Sequence, residues 1–350
     1  MKRVITGLTA AGLALLAVGC GSSGGSGSGG SADPQVTLRL GYLENITHAT
    51  ALVGIKEGFF TKNLGHGVTL KLYPFSTGTE EATALLAGQL DAAYVGPNPT
   101  ISAWQKSQGS LIKVISGAAS GGASLVVKSG ITKASQLKGQ KLATPSLGNT
   151  QDVALRFWLK QQGLTSTTTG GGDVSIAPTS PNSAAVLEFK SGQIAGGWEP
   201  APYDAELVAD GGHTLVNEAS LWPNGQFVTT NLVVTQKFLA ANPTAVSDLL
   251  KGSVQANAFI NNASTKPKAE ADANAELATL TGKSLKPGIL SQAFQEVTFT
   301  NDPIESSLTT DAQHAVAVGL LKPVSDLTSV YDLAPLNKVL AAAGQPQVGS

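Results

Sequence analysis

ALLAGQLDAAYVGPNPT, the stretch at residues 84–100, runs through a helix end, a glycine turn, a short apolar strand and a proline-containing loop. A second stretch, GQIAGGWEP at residues 192–200, repeats that succession. The apolar runs SLVV at 124–127 and NLVV at 231–234 form a second pair of similar segments. These two internal similarities favour a chain made of two related halves.

Short apolar runs alternate with amphipathic stretches on both sides of these segments, which indicates an α/β fold. The predicted strands are 36–42, 68–75, 92–95, 112–116 and 141–143, together with the two Leu-Val-Val runs. The predicted helices are 47–57, 79–87, 99–107, 151–162 and 182–190, and the chain after Pro243 is predicted to be mostly helical.

The order of the elements predicts two lobes with a cleft between them. A turn and a helix follow each Leu-Val-Val strand, as expected of a chain that crosses from one lobe to the other and later returns. In open α/β sheets, a ligand binds beyond the carboxyl ends of the strands, where loops and helix N-termini meet. The cleft is therefore the predicted binding site.

The N-terminal region has the order of a secretory signal. Lys2 and Arg3 precede an apolar run at 4–18, and small residues precede Cys20, the only cysteine. The run is about fifteen residues long, whereas a membrane-spanning helix needs roughly twenty. We predict a signal peptide at 1–19. At 20–34 we predict a lipid-carrying Cys20 and a flexible Gly/Ser tether.

Composition excludes several classes of function. The chain has 42% apolar residues and a formal net charge of -1, so no basic field is present to attract nucleic acid. One cysteine allows no internal disulfide bond. The four histidines show no HExxH or other paired metal-ligand spacing, and no catalytic constellation stands out. We therefore expect no metal, no cofactor and no catalytic residues.

Seven further segments stand out along the chain: GY at 41–42, GFF at 58–60, FSTG at 75–78, ALLAGQLD at 84–91, GPNP at 96–99, QLKGQK at 136–141 and GWEP at 197–200. Taken in order, they resemble the type II periplasmic binding proteins of ABC importers, in the branch that serves aliphatic sulfonates, taurine, nitrate and pyrimidine precursors. The similarity extends from about residue 36 to residue 260. The end of the N-terminal segment is similar to the lipobox of bacterial lipoproteins, in which the cysteine is diacylated.

The resemblance implies a specific architecture and a specific role. Residues 35–122 and 232–350 would form lobe 1, residues 123–231 would form lobe 2, and two crossover segments would join them. The protein would be a monomer outside the cytoplasm, anchored to the cell membrane through Cys20. It would capture a small solute and deliver it to an ABC permease.

Four predicted strand-to-helix junctions carry residues that commonly cap helices, and capping alone explains each of them equally well. Because these junctions face one cleft, their free N–H groups and helix dipoles favour a negatively charged ligand. None of the three arginines lies there, so amides, hydroxyls and dipoles would have to hold the anion. The junctions are Thr47, residues 76–79, Asn98 before Pro99, and Asn149 with Thr150.

Aromatic and acidic side chains at the same loops could meet a cationic or aromatic part of the ligand. A tryptophan of this kind is equally consistent with a core residue, and a glutamate with a solvated surface residue. His48 could donate to an oxyanion or could only pack. The predicted ligand-binding residues are Tyr42, Glu44, Thr47, His48, Ser76, Thr77, Gly78, Gly96, Asn98, Gly121, Gly148, Asn149, Thr150, Trp198 and Glu199.

The sequence thus predicts a solute-binding lipoprotein of an ABC importer that captures a small anion or zwitterion, an aliphatic sulfonate or taurine-like compound. Two alternatives stay open. One is a binding protein for a nitrogenous or aromatic solute, such as nitrate, a pyrimidine precursor or an aromatic carboxylate. The other is a lipid-anchored enzyme.

Overall fold

The predicted alternation of strands and helices is present in the computed structural model, which describes residues 36–324 and 326–349. The predicted signal peptide, Cys20 and tether lie outside the described residues. The strands are β1 Val36–Leu43, β2 Val68–Phe75, β3 Ala92–Val95, β4 Ile112–Gly121, β5 Ala123–Lys128, β6 Lys141–Thr144, β7 Ser175–Pro178, β8 Gly196–Pro200, β9 Gly212–Asn217, β10 Val228–Thr235 and β11 Val297–Phe299.

Helices follow most of these strands, and the C-terminal part is mostly helical, as predicted. The helices are α1 Ala49–Lys56, α2 Phe59–Leu64, α3 Gly78–Leu86, α4 Pro97–Lys106, α5 Thr150–Gln161, α6 Asn182–Lys190, α7 Tyr203–Ala209, α8 Gln236–Ala241, α9 Pro243–Asn261, α10 Lys266–Thr281, α11 Pro287–Glu296, α12 Glu305–Ala317 and α13 Ala334–Ala342.

The described strands form two mixed sheets. Sheet A has the order β11-β4-β10-β3-β1-β2, and sheet B has the order β7-β6-β8-β5-β9. In each sheet the strands with a crossover helix between them run parallel, and one long apolar strand runs antiparallel to its neighbours. Helices cover both faces of each sheet, so the central strands are buried on both sides and are rich in Val, Leu and Ala. The edge strands β2, β7 and β9 are partly exposed.

The internal similarity seen in the sequence is present in the register of the strands. In sheet A, Leu232 of β10 lies opposite Tyr94 of β3, and in sheet B, Leu125 of β5 lies opposite Trp198 of β8. Helices α3 and α6, which precede β3 and β8, both have nine residues. Each is followed by a glycine turn, at 88 and at 192, with positive φ. Equivalent residues therefore occupy equivalent places in the two sheets.

The chain crosses from sheet A to sheet B through Gly121 and Gly122. Both have positive φ, at 79° and 72°, a conformation that glycine adopts without the steric cost paid by other residues. A side chain at 121 would also meet the carbonyl oxygen of Glu296 at 2.7 Å. The return crossing lies between β9 and β10. Since β10 already pairs in sheet A from Val228, it enters that sheet before the predicted lobe boundary at 232.

Several element boundaries differ from the predictions. The predicted helix at 47–57 begins at Ala49, because residues 46–48 form a 3-10 turn. The predicted strand at 112–116 continues to Gly121, through small residues that carry little strand signal. Sequence reasoning missed α2, α7, β7 and β9, which are all short. Of these, β9 is only partly buried and lacks a continuous apolar run.

Candidate functional site

A cavity lies between the carboxyl ends of strands from both sheets, where the sequence places the cleft. Sheet A contributes the loops after β1, β2 and β3, and sheet B contributes the loops after β6, β7 and β8. The lining residues are Leu43, Asn45, Thr47, His48, Ser76, Thr77, Gly78, Gly96, Pro99, Pro145, Asn149, Thr150, Gln151, Asn182, Pro200 and Thr229.

Four helices begin at this cavity, and two of them, α3 and α5 from opposite halves of the fold, are capped by a side chain. Thr77 caps α3, since its hydroxyl accepts a hydrogen bond from the Glu80 N–H at 3.4 Å. Asn149 caps α5 in the same way, with its side-chain oxygen 2.9 Å from the Asp152 nitrogen. The remaining N–H groups of a first helical turn have no carbonyl partner within the helix, and the helix dipole adds partial positive charge. The cavity therefore offers hydrogen-bond donors to an anion from both sides.

Helix α6 supplies a third polar group. Its first residue, Asn182, is 4% exposed, and its side-chain oxygen has no hydrogen-bond partner within the described residues. A buried amide oxygen without a partner costs about 1–3 kcal/mol. A ligand hydrogen-bond donor in the cavity would remove that cost.

His48 is the titratable side chain of the cavity, and it is neutral. Burial lowers the pKa of His48 to about 3. Its Nδ1 accepts a hydrogen bond from the backbone N–H of Leu43 at 3.2 Å. The proton of the neutral ring is therefore on Nε2, so His48 can donate one hydrogen bond but carries no charge.

Among the described lining residues there is no Asp, Glu, Lys or Arg. Two arginines are engaged elsewhere: Arg39 pairs with Asp91 at 2.7 Å, and the buried Arg156 pairs with Asp152 at 2.9 Å. The third, Arg3, lies outside the described residues. An anion in this cavity would consequently be held by neutral groups and helix dipoles, as the sequence predicted.

Eight of the predicted site residues line the cavity, and two others, Asn98 and Gly148, line a neighbouring crevice. Those in the cavity are Thr47, His48, Ser76, Thr77, Gly78, Gly96, Asn149 and Thr150. The second space, the side crevice, is lined by Thr79, Ala82, Thr83, Leu86, Asn98, Pro99, Ser102, Lys106, Leu147, Gly148, Val153, Ala315, Leu320 and Leu321.

The aromatic residues predicted for the site lie in the core instead. Trp198 is fully buried, and its Nε1–H donates to Glu218 at 2.7 Å. Its ring packs edge-on against Trp158 of α5. Tyr42 is 2% exposed and belongs to the core of sheet A. Neither ring lines the cavity.

The two predicted carboxylates and Gly121 are also absent from the lining, although Glu44 contacts the lining residue Ser76. Glu44 is half-buried, accepts a hydrogen bond from Ser76 at 3.2 Å, and has a raised pKa because of burial. Glu199 is fully buried with no partner for either oxygen. Burial, and then the nearby Asp204, raise the pKa of Glu199 well above its usual range. Gly121 lies in the crossover between the two sheets.

Two of the predicted helix caps have other roles. The hydroxyl of Thr47 donates to the side chain of Asn45 at 2.8 Å within the 3-10 turn. Helix α4 begins at Pro97 with Gly96 as its cap, so Asn98 is inside the helix and donates to the carbonyl of Asp311. The proline at 97 is sufficient to start the helix earlier than predicted.

Sequence reasoning missed several lining residues, of which Asn182 is the most informative. A signal for it was present, because Asn182 is the first residue of α6 and corresponds to Gly78 at the start of α3. The missed residues are Leu43, Asn45, Pro99, Pro145, Gln151, Asn182, Pro200 and Thr229.

The cavity is narrow. About 20 Å³ is available to the centres of water-sized molecules, little more than one water needs. The two halves touch beside it, since the hydroxyl of Thr79 in α3 donates to the hydroxyl of Ser146 after β6 at 2.8 Å. A solute larger than water can therefore enter only when the halves separate.

Two further features bear on the kind of site. Within the described ranges, no group of three or more His, Cys, Asp and Glu side chains is placed to hold a metal ion. In the same ranges, none of the helices combines the length and apolar character needed to cross a membrane.

Comparison with known proteins links this architecture to binding proteins. A family model described as the NMT1-like family matches residues 31–277. Brucella abortus and Brucella suis have proteins described as binding proteins that are 26% identical to this chain over 229 residues, covering 64% of it and 67% of theirs.

Two solved structures share the fold. One is the alkanesulfonate-binding protein SsuA from Xanthomonas axonopodis pv. citri bound to MOPS, with 19% identity, a TM-score of 0.66, and coverage of 84% of this chain and 96% of that one. The other is the periplasmic nitrate-binding protein NrtA from Synechocystis, with 16% identity, a TM-score of 0.73, and coverage of 91% and 92%. The two-sheet α/β fold is thus that of periplasmic binding proteins.

Proposed function

The chain belongs to the NMT1-like family, and on that premise we propose that it is the solute-binding component of an ABC importer. Its ligand is a small anionic or zwitterionic solute, an aliphatic sulfonate or taurine-like compound. The observation that carries this proposal is the uncharged cavity between the two halves. There the starts of α3 and α5 and the neutral His48 supply donors, and the described lining supplies no cation.

Those features suit reversible capture of a monoanion. A multiply charged phosphate would be expected to use arginine or lysine, whereas a sulfonate spreads one charge over three acceptor oxygens. Binding would draw the two halves together around the solute, and the permease would distinguish the closed shape from the open one. The two predicted lobes would be the parts that move, with their second boundary placed before β10 because that strand pairs in sheet A from Val228.

A lipid on Cys20 would hold the protein outside the cytoplasm at the membrane, behind a signal peptide at 1–19. The Gly/Ser tether after Cys20 would reach roughly 20 Å on average, enough to keep the lobes near a permease. The resemblance of the N-terminal segment to a lipobox supports this proposal. Partners are therefore the solute, the permease and the membrane, and the protein would act as a monomer.

A thermal-shift screen tests the class of solute. The purified protein is mixed with a large excess of one candidate ligand at a time. The candidates are sulfonates, taurine, nitrate, pyrimidines and aromatic carboxylates. A ligand at 100 times its Kd stabilises the native state by about 2.7 kcal/mol, which is a clear rise in Tm. A shift with sulfonates alone supports the proposal. A shift with nitrate or a pyrimidine and none with any sulfonate would replace the solute while keeping the role.

Trp198 and Tyr42, the two rings predicted to stack on an aromatic ligand, are buried in the core. They therefore do not support the alternative of an aromatic solute. A nitrogenous ligand such as nitrate remains an alternative, since NrtA shares the fold. Product analysis distinguishes the enzyme alternative from the binding-protein proposal. Incubation with each ligand that shifts Tm should leave that ligand chemically unchanged, and any turnover would overturn the binding-protein assignment.

A further inference from the structure

We infer that the solute has an aliphatic tail of several carbons and that the side crevice binds this tail while the cavity binds the anionic head. The inference rests on the proposed function and narrows it to alkyl anions longer than taurine. It starts from a difference in size. About 320 Å³ of the crevice is open to water-sized molecules, against about 20 Å³ in the cavity.

The crevice and the cavity are adjacent, and Pro99 lies between them. Pro99 lines both spaces, and its ring packs so closely on Gly78 that a side chain at 78 would lie 2.8 Å from it. Beside Pro99, the Thr79–Ser146 hydrogen bond closes the gap between the halves. When the halves separate to admit a ligand, this contact is lost and the two spaces join into one elongated site, and closure would then leave the head in the cavity and the tail in the crevice.

The chemistry of the crevice suits an alkyl chain with its far end near water. Leu86, on the α3 side, is 37% exposed, and Leu147, on the opposite half, is 47% exposed. Large side chains of this kind exposed in a concave surface commonly mark binding sites. Thr83 and Lys106, which also line the crevice, are exposed to solvent. A tail held between the two leucines would cover apolar surface contributed by both halves, so it would favour their approach.

Titration calorimetry with methane-, propane- and hexanesulfonate tests the inference, with the matching carboxylates run beside them. A fully buried methylene group is expected to tighten binding by up to about fourfold. We expect Kd to fall steadily with chain length in the wild type. Leu147→Ser should reduce that dependence, with a much smaller change in the Kd of methanesulfonate, which has no tail, than in the Kd of hexanesulfonate. Leu221→Ser, at a leucine that is also 47% exposed but is absent from both linings, should behave as wild type.

The outcomes separate the two proposals. If methanesulfonate binds and hexanesulfonate binds no tighter, the tail site is overturned and the proposed function stands. If the chain-length dependence is the same in Leu147→Ser as in the wild type, the tail lies elsewhere and the crevice assignment is wrong. If no sulfonate or carboxylate of any length binds, the proposed class of solute fails and the tail site fails with it.

Discussion

Replacing Gly96 with alanine should insert a wedge between the two halves of the fold. Gly96 caps α4 at the end of β3, and its φ of −67° is one that alanine adopts readily. An added methyl group would lie 2.7 Å from the Thr150 hydroxyl of α5, well inside the 3.4 Å at which ordinary contact begins. Thr150 is β-branched, so its side chain has few rotamers with which to escape.

The size of the effect follows from overpacking. An extra methyl group in a closed contact costs about 1–3 kcal/mol. If that cost falls on the closed form alone, the affinity for ligand should drop by about fivefold to 150-fold, since 1.4 kcal/mol corresponds to a factor of ten. Stability measured by urea unfolding without ligand should change less, because the halves can separate and relieve the contact.

Titration calorimetry with whichever solute raises Tm measures this loss. Gly130→Ala is the matched control, since a methyl group there would meet nothing within 4 Å. A double-mutant cycle with Thr150→Ala distinguishes the wedge from simple obstruction of the ligand. The wedge predicts that Gly96→Ala costs much less when Thr150 is already alanine. Equal losses in both backgrounds, or a loss no larger than that of Gly130→Ala, would refute the reasoning.

Three further predictions concern groups whose environment is now known, and a fourth concerns the anchor. The affinity for a sulfonate should change less than about twofold between pH 5 and 8, because His48 stays neutral; calorimetry across that range would contradict this if affinity rose tenfold on acidification. Trp198→Ala should destabilise the fold by about 3–5 kcal/mol in urea unfolding and leave ligand affinity unchanged under folding conditions, because the ring is core. Burial raises the pKa of Glu218 to about 7 against its usual 4.5, so its contribution to stability is complete below pH 4.5 and is lost as pH rises to 7. In urea unfolding at several pH values, Glu218→Gln should reduce the loss of unfolding free energy across this pH range by up to about 3 kcal/mol. The same loss in the variant as in the wild type would contradict the prediction. Cys20→Ala should release the protein from the membrane fraction with ligand binding intact, and retention there would show that the lipid is not the anchor.

The sequence predicts the fold well where the signal is local or repeated. Gly88 and Gly192 end helices, and the apolar runs that follow them are the strands β3 and β8. Thr77 and Asn149 are helix caps as their positions indicate. These features depend on a residue and its near neighbours, so a single chain contains the information.

The site is predicted less completely, because exposure depends on partners far along the chain. Trp198 is core since Glu218 and Trp158 come to it from two other elements. The neutrality of His48 depends on complete burial, which its position in the sequence does not reveal. Asn182 was missed because a helix start is unremarkable by itself, and it becomes informative only when its oxygen is seen to lack a partner.

The matching register of the two sheets has a consequence for how a solute would be oriented. A binding site made of two identical halves would bind a ligand equally well in either orientation. Here the start of α3 presents Thr77 and Gly78, whereas the equivalent start of α6 presents Pro181 and Asn182. At this pair of helix starts, one half therefore offers a threonine hydroxyl with backbone N–H groups, and the other offers an amide side chain. A solute with two unlike ends would therefore be bound in one direction only.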